Sequence, residues 1–257
     1  MRRKQLMTRS EQFIRLATDP TAFMGLLRWP VFSFTSYEIA CRLKKANVEI
    51  GTLLDVGANI GQFAVSCSKL FPGIDVISFE PLPNAFAKLS ALSRAVPNFS
   101  AVNVAVGDGP GTAALTVNTH LHSSSLLPLR ERHKRAFPFA REAGTTMVTV
   151  VTLDEEFRGR TLRKPLFLKL DVQGYESRVL AGAKQLLREV DWLMLESSVS
   201  PLYEGEAGLV EMIGLAQSFG FELDSVLDVL EDSETEEILQ MDLLFRPRQP
   251  KAANGKR

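Results

Sequence analysis

Apolar residues follow two alternating rhythms along this chain. Residues 52–56, 75–79, 165–171 and 192–196 are short and almost wholly apolar, the pattern of strands buried on both faces. Between such runs, apolar residues recur three and four apart. Phe63, Ala64, Cys67, Leu70 and Phe71 would line one face of a helix over 61–71. Val179, Leu180, Ala183, Leu186, Leu187 and Val190 would do the same for a helix over 176–190. Further strands are expected at 99–106, 221–226 and 241–245, with helices at 83–94 and 209–219, the last stopped by Gly220. This alternation implies βαβ units and a mostly parallel sheet. The link between the last two strands has no helical period, which favours an antiparallel pair, and its acidic stretch 228–237 reads as a solvated loop.

Two segments break the rhythm. Residues 1–50 read as helical, interrupted at Trp29-Pro30, with a second helix over 36–47. Residues 107–164 hold two strand patterns, 112–117 and 147–152, around a polar stretch that carries all three histidines. That stretch reads as an insertion placed to act as a substrate lid. The expected architecture is therefore α/β and Rossmann-like, with a mostly parallel seven-stranded sheet and a final antiparallel strand. The antiparallel strand distinguishes the class I methyltransferase fold from the dinucleotide-binding one. This domain would span 51–246, after an N-terminal helical extension over 1–50 and before a disordered basic tail over 247–257.

Composition narrows the picture. A chain of 257 residues, 45% hydrophobic, can bury a full core without disulfides or metals. Its 30 basic and 30 acidic side chains balance, which argues against nucleic acid as a partner. Cys41 and Cys67 have no metal-ligand spacing, and Cys67 reads as a small buried hydrophobe. The most apolar early run, 22–37, is broken by Arg28 and Pro30, so no membrane span is expected. With no signal peptide pattern either, cytoplasmic residence is the expectation.

The strongest chemical signal is Leu54-Asp55-Val56-Gly57-Ala58-Asn59-Ile60-Gly61, a strand entering a glycine turn with a helix starting at Gly61. Glycine allows a sharp turn or the close approach of a ligand, and the N–H groups at such a helix start can hold a carboxylate. Asp55, at the strand end, is placed to take the amino group of a methionine-like ligand. Glu80, in Ser78-Phe79-Glu80-Pro81, ends the next strand about 20 residues beyond the turn, where a carboxylate reaches ribose hydroxyls. The chain offers only Gly57 and Gly61 rather than G-x-G-x-x-G, and no phosphate loop is present. The nucleoside ligand therefore lacks phosphate, which fits S-adenosyl-L-methionine better than NAD or ATP. In Asn103-Val104-Ala105-Val106-Gly107-Asp108, Ala105 leaves room for an adenine ring and Asp108 can meet its amino group, although Asp108 also reads as a turn residue.

These segments, followed by Thr152-Leu153-Asp154 and Leu168-Lys169-Leu170-Asp171-Val172-Gln173-Gly174-Tyr175-Glu176, together resemble the FkbM family of methyltransferases over residues 50–246. The resemblance implies O-methylation of a hydroxyl on a sugar, polyketide or related small molecule. Asp171, at the end of the fourth core strand, would orient that hydroxyl and accept its proton, or cap the following helix. Glu176 reads as a capping residue. Glu196 ends the adjacent strand and would contact substrate, pair with a cation, or share a divalent metal such as Mg²⁺ with Asp171; no third ligand is evident, so no metal is assigned. Relatives of this kind carry a Ser-Ser-Leu element, which casts Ser124 and Ser125 as acceptor-binding groups and neighbouring His122 as a base. The bland reading of that segment is a Ser-rich surface loop. The apolar side chains of 1–50 serve core packing, coverage of the site or pairing into a homodimer. The rival function is a non-catalytic nucleoside-binding or scaffold protein that keeps the fold; a scaffold would need none of Asp55, Gly57, Gly61, Glu80 and Asp171.

Overall fold

The computed structural model describes residues 19–118, 124–137, 142–232 and 235–248. Its centre is a seven-stranded sheet of β1 (Thr52–Val56), β2 (Asp75–Phe79), β3 (Phe99–Val102), β7 (Leu166–Leu170), β8 (Trp192–Ser198), β9 (Phe221–Glu231) and β10 (Ile238–Pro247). The strand order is β3-β2-β1-β7-β8-β10-β9. Neighbours run parallel except β10, which is antiparallel to both β8 and β9. Reversal at β10 follows from its direct hairpin connection, which cannot make the crossover that a parallel neighbour requires.

The pleat splits each central strand between two cores. Leu54, Val56, Leu166, Leu168 and Leu170 pack on one face with α7 (Glu176–Ala181) and α8 (Leu209–Ser218). Leu53, Phe167 and Met194 pack on the other with α2 (Phe34–Lys45), α3 (Gln62–Leu70) and α4 (Pro83–Ala95). Burial on both faces explains why these strands read as continuous apolar runs. Within the helical extension, α1 (Pro20–Arg28) leaves Phe23, Leu26 and Leu27 exposed. By contrast Ile39, Ala40 and Leu43 of α2 are fully part of the core, and Cys67 is buried beside them.

Three expectations need correction. The strand over 99–106 breaks after Val102, and β4 (Ala105–Val106) joins a second, three-stranded sheet of order β4-β6-β5. Its partners, β5 (Gly111–Asn118) and β6 (Glu142–Val151), are the two strands expected in the insertion. The helix over 176–190 stops at Ala181, and Gly182 follows where the chain passes so close to Gly107 that an added Cβ would lie 2.0 Å from its carbonyl oxygen. A new turn, Leu186–Arg188, follows, and the Asp154 carboxylate accepts from the N–H groups of Gln185 and Leu186. All six side chains of the expected apolar face are nevertheless buried. Finally, β9 continues through Asp228 to Glu231, so the solvated loop is shorter than the acidic stretch. Ion pairing of Asp228 with Arg42 of α2, at 3.0 Å, lets that charge sit in a strand.

Candidate active site

A cavity of about 500 Å³ runs along the C-terminal edge of the parallel strands, from β2 to β10. At one end the turn after β1 is built by backbone geometry. Gly57 has φ 78° and Asn59 φ 50°, and the N–H groups of Gly57 and Ala58 both donate to the Phe79 carbonyl. The close approach expected at Gly57 comes from protein, since an added Cβ would lie 1.8 Å from the Asp171 carbonyl oxygen. Gly61 has φ 92° and fits α3 against Leu92 of α4; it supports the turn from outside the cavity.

Glu80 is 5% exposed and lines this end. Its Oε2 accepts from Asn59 N–H and its Oε1 from Leu82 N–H, both at 2.8 Å. These bonds fix the carboxylate and leave lone pairs for hydroxyl donors. Burial outweighs them and pushes its pKa up to about 7. Ala105 lies opposite as a small wall. Asp108, expected here, is not among the cavity residues: its carboxylate turns to Arg178 at 2.8 Å, because the strand breaks at Val102 and carries Asp108 into the second sheet's outer turn.

The other end is charged. On the face shared by Leu53 and Phe167, register places Asp55 beside Lys169 and beside Ser78. Asp55 is fully buried below the cavity wall, and its Oδ1 meets Lys169 Nζ at 3.2 Å. It neutralises that lysine, and it is not among the residues that line the cavity. Lys169 Nζ also reaches Asp171 Oδ2 at 3.2 Å and sits 5.5 Å from the Phe63 ring centre. Burial alone would push the ammonium down, but Asp171 and Asp55 more than reverse this, so it stays charged.

Gln173 is a hub. Held at φ 56°, it donates from Nε2 to Asp171 Oδ1 (3.0 Å) and Glu196 Oε2 (2.8 Å). Its Oε1 accepts from Tyr203 Oη at 2.7 Å, and its backbone carbonyl accepts from Ser125 Oγ at 2.7 Å. Glu196 Oε2 also accepts from Gln240 Nε2 at 2.7 Å. Asp242 of β10, in register with Glu196, lines the same end. Gln173, Tyr203, Gln240 and Asp242 were missed because their contacts cross strands and loops; a lone acid at the start of an apolar strand, Met241-Asp242-Leu243, was the available clue.

Ser124 and Ser125 both line the cavity. The Ser125 hydroxyl is spent on Gln173 and on the Leu127 N–H, so it pins the insertion to the site; Ser124 Oγ accepts from Asn118 N–H. His120 and His122 lie outside the described residues. His133 is buried against Tyr203 and Phe137, outside the cavity. Glu176 takes its expected structural place, accepting from Val172 N–H at 2.8 Å. Among the described residues no group of three or more His, Cys, Asp or Glu side chains is arranged to hold a metal. Among them, too, no helix is long and apolar enough to cross a membrane.

Two buried acids set a pH dependence. Burial raises Glu176 to about 8 and Glu80 to about 7, both from 4.5. A carboxyl whose folded pKa is raised contributes stability below its unfolded pKa and loses it as pH climbs through the folded value. The ligand-free protein should therefore lose stability between about pH 5 and 8. Tm measured at intervals across that window checks this, and Glu176→Gln should flatten the fall; a Tm that rises through the window would contradict it.

Comparison with known proteins bears on the family and the fold. The chain is 28% identical over 201 residues to the 31-O-demethyl-FK506 methyltransferase FkbM of Streptomyces tacrolimicus, covering 69% of this chain and 75% of that one. It is 27% identical over 173 residues to the 2-O-methyltransferase NoeI of Sinorhizobium fredii, covering 65% and 71%. The N-terminal domain of EvdMO1, solved with SAH and D-fucose, shares the fold at TM-score 0.50 and 12% identity over 83% of each chain. The methyltransferase FkbM domain matches residues 55–228, more than half of the chain, and the protein belongs to that family of methyltransferases.

Proposed function

We propose that the protein transfers a methyl group from S-adenosyl-L-methionine to a hydroxyl of a sugar-like or polyketide-like small molecule. The observation that carries this is one cavity joining a backbone-anchored carboxylate, Glu80, to an acid-rich end around Asp171. The residues present fit the cofactor. Glu80 would accept the ribose hydroxyls, Ala105 would face the adenine, and the 57–59 turn would hold the methionine end. Lys169 is the only Lys or Arg among the described residues that line the cavity, and it is bound to two carboxylates, so none of these residues offers to neutralise a pyrophosphate. When bound, the cofactor supplies an electrophilic methyl group on a sulfonium. The two relatives named above as O-methyltransferases support oxygen as the acceptor atom.

Asp171 stands at the strand end with Oδ2 on Lys169 and Oδ1 on Gln173. Its charge is partly offset there, so its part is to accept the acceptor's hydrogen bond and aim the oxygen. Such orientation is worth several kcal/mol of the barrier. The insertion, pinned by Ser125, would exclude water, and cytoplasmic residence would supply the cofactor. Calorimetric titration tests the reading: S-adenosylmethionine should bind and NAD should not. Glu80→Ala should weaken binding by at least tenfold, equivalent to about 1.4 kcal/mol. Tight NAD binding, or an unaffected Glu80→Ala variant, would sink it.

A further inference from the structure

The transfer proposed above gives Glu196 and Asp242 no role of their own. They face each other across the antiparallel β8–β10 pair, where opposite Cβ atoms lie about 4.5–5.5 Å apart, and both line the cavity. Glu196 commits only Oε2 to the amides of Gln173 and Gln240. Its Oε1, and both oxygens of Asp242, have no hydrogen-bond partner among the described residues. Asp171, by contrast, has both oxygens engaged.

We propose that the Glu196–Asp242 pair receives the proton released by the acceptor hydroxyl, and that the pair's charge makes the site distinguish the sulfonium cofactor from its thioether product. This rests on the cofactor reading above. The acceptor enters as a neutral alcohol. The C–O bond forms as the S–C bond breaks, the S–C electron pair stays on sulfur, and the O–H proton passes to Glu196 Oε1. The cavity loses the positive charge of the sulfonium and keeps one as the proton, so its net charge is unchanged. An acid pair in a half-closed site is suited to this, since like carboxylates so close retain a proton between them.

The surroundings point the same way. Glu196 is faced by Asp171 and Lys169 from β7, Asp242 from β10 and Glu176 from α7; burial and these carboxylates hold it well above the usual range. Asp242 is faced by Asp171 and Lys169, by Asp228 of β9 and by Arg42 of α2. Burial and Asp171 raise it to about 7.

Calorimetry of the full protein tests this without knowledge of the acceptor. S-adenosylmethionine and S-adenosylhomocysteine are titrated from pH 6 to 8, in two buffers of different ionisation enthalpy. The cationic ligand disfavours the shared proton, whereas the neutral thioether tolerates it. The thioether complex should therefore hold up to one more proton. The affinity ratio should shift toward the sulfonium as pH rises, by up to tenfold per pH unit. Glu196→Gln and Asp242→Asn should each flatten that slope. Asp242→Asn has no hydrogen bond to lose, and its melting curve keeps the test readable if Glu196→Gln folds poorly. Equal pH dependence for the two ligands in wild type overturns the proposal, as does a slope that survives Asp242→Asn. If neither ligand binds wild type, the cofactor reading itself fails.

Discussion

Lys169→Met should cost about 3–5 kcal/mol of folding stability, the usual penalty for stripping one partner from a buried ion pair. Methionine matches much of the lysine's length, so packing against Phe63 is largely kept. What is lost is the ammonium that meets fully buried Asp55 at 3.2 Å. Among the described residues Asp55 has otherwise only the Ser78 hydroxyl, at 3.4 Å, and a hydroxyl does not replace a cation. The stranded carboxylate must ionise in an apolar layer or take up a proton, and either is unfavourable at neutral pH. Urea unfolding of Lys169→Met, Asp55→Leu and the double variant gives the coupling directly. The double variant should recover most of the loss, because an apolar pair in this layer needs no compensation. A single-variant loss below about 1 kcal/mol would show that Asp55 is neutral in the native state.

Asp55 and Lys169 stand on strands that the sequence makes legible, in a register that it does not. The strands themselves were legible: Leu53, Leu54 and Val56, or Leu166 to Leu170, can only be buried, and seven strands with one reversed follow from their spacing. A charge inside such a run demands a partner, so Asp55 and Lys169 each announced one. Their mutual register does not follow from either strand alone; it depends on β7 docking beside β1 across more than 100 intervening residues. The sequence therefore shows Asp55 without its lysine neighbour. The same limit hid Gln173 and Asp242, whose partners sit on β8 and in the loop carrying Tyr203. Glu80 was legible because its job is local, its partners being Asn59 of the preceding turn and Leu82 two residues on. The broken helix after Ala181 shows tertiary contact overriding period, with the apolar face preserved and the helix lost.

Gly57→Ala should be the most damaging change of a glycine outside a helix interior, with a loss of about 3 kcal/mol or more. Two effects add. At φ 78° an L side chain already costs about 1–2 kcal/mol. The new methyl would also lie 1.8 Å from the Asp171 carbonyl oxygen, a backbone atom that has no rotamer to escape into. Relief requires β1 and β7 to separate at their C-terminal ends, where Asp171 N–H donates to the Val56 carbonyl. That movement carries Asp171 away from Lys169 and Gln173, so cofactor affinity should fall together with stability. Gly73→Ala isolates the first effect, since Gly73 has φ 81° and nothing within 4 Å of an added Cβ. Unfolding midpoints and S-adenosylmethionine titrations of both variants decide the matter. If Gly57→Ala is no worse than Gly73→Ala, the close approach of β7 is not what demands glycine at this turn, and a bound ligand would have to be.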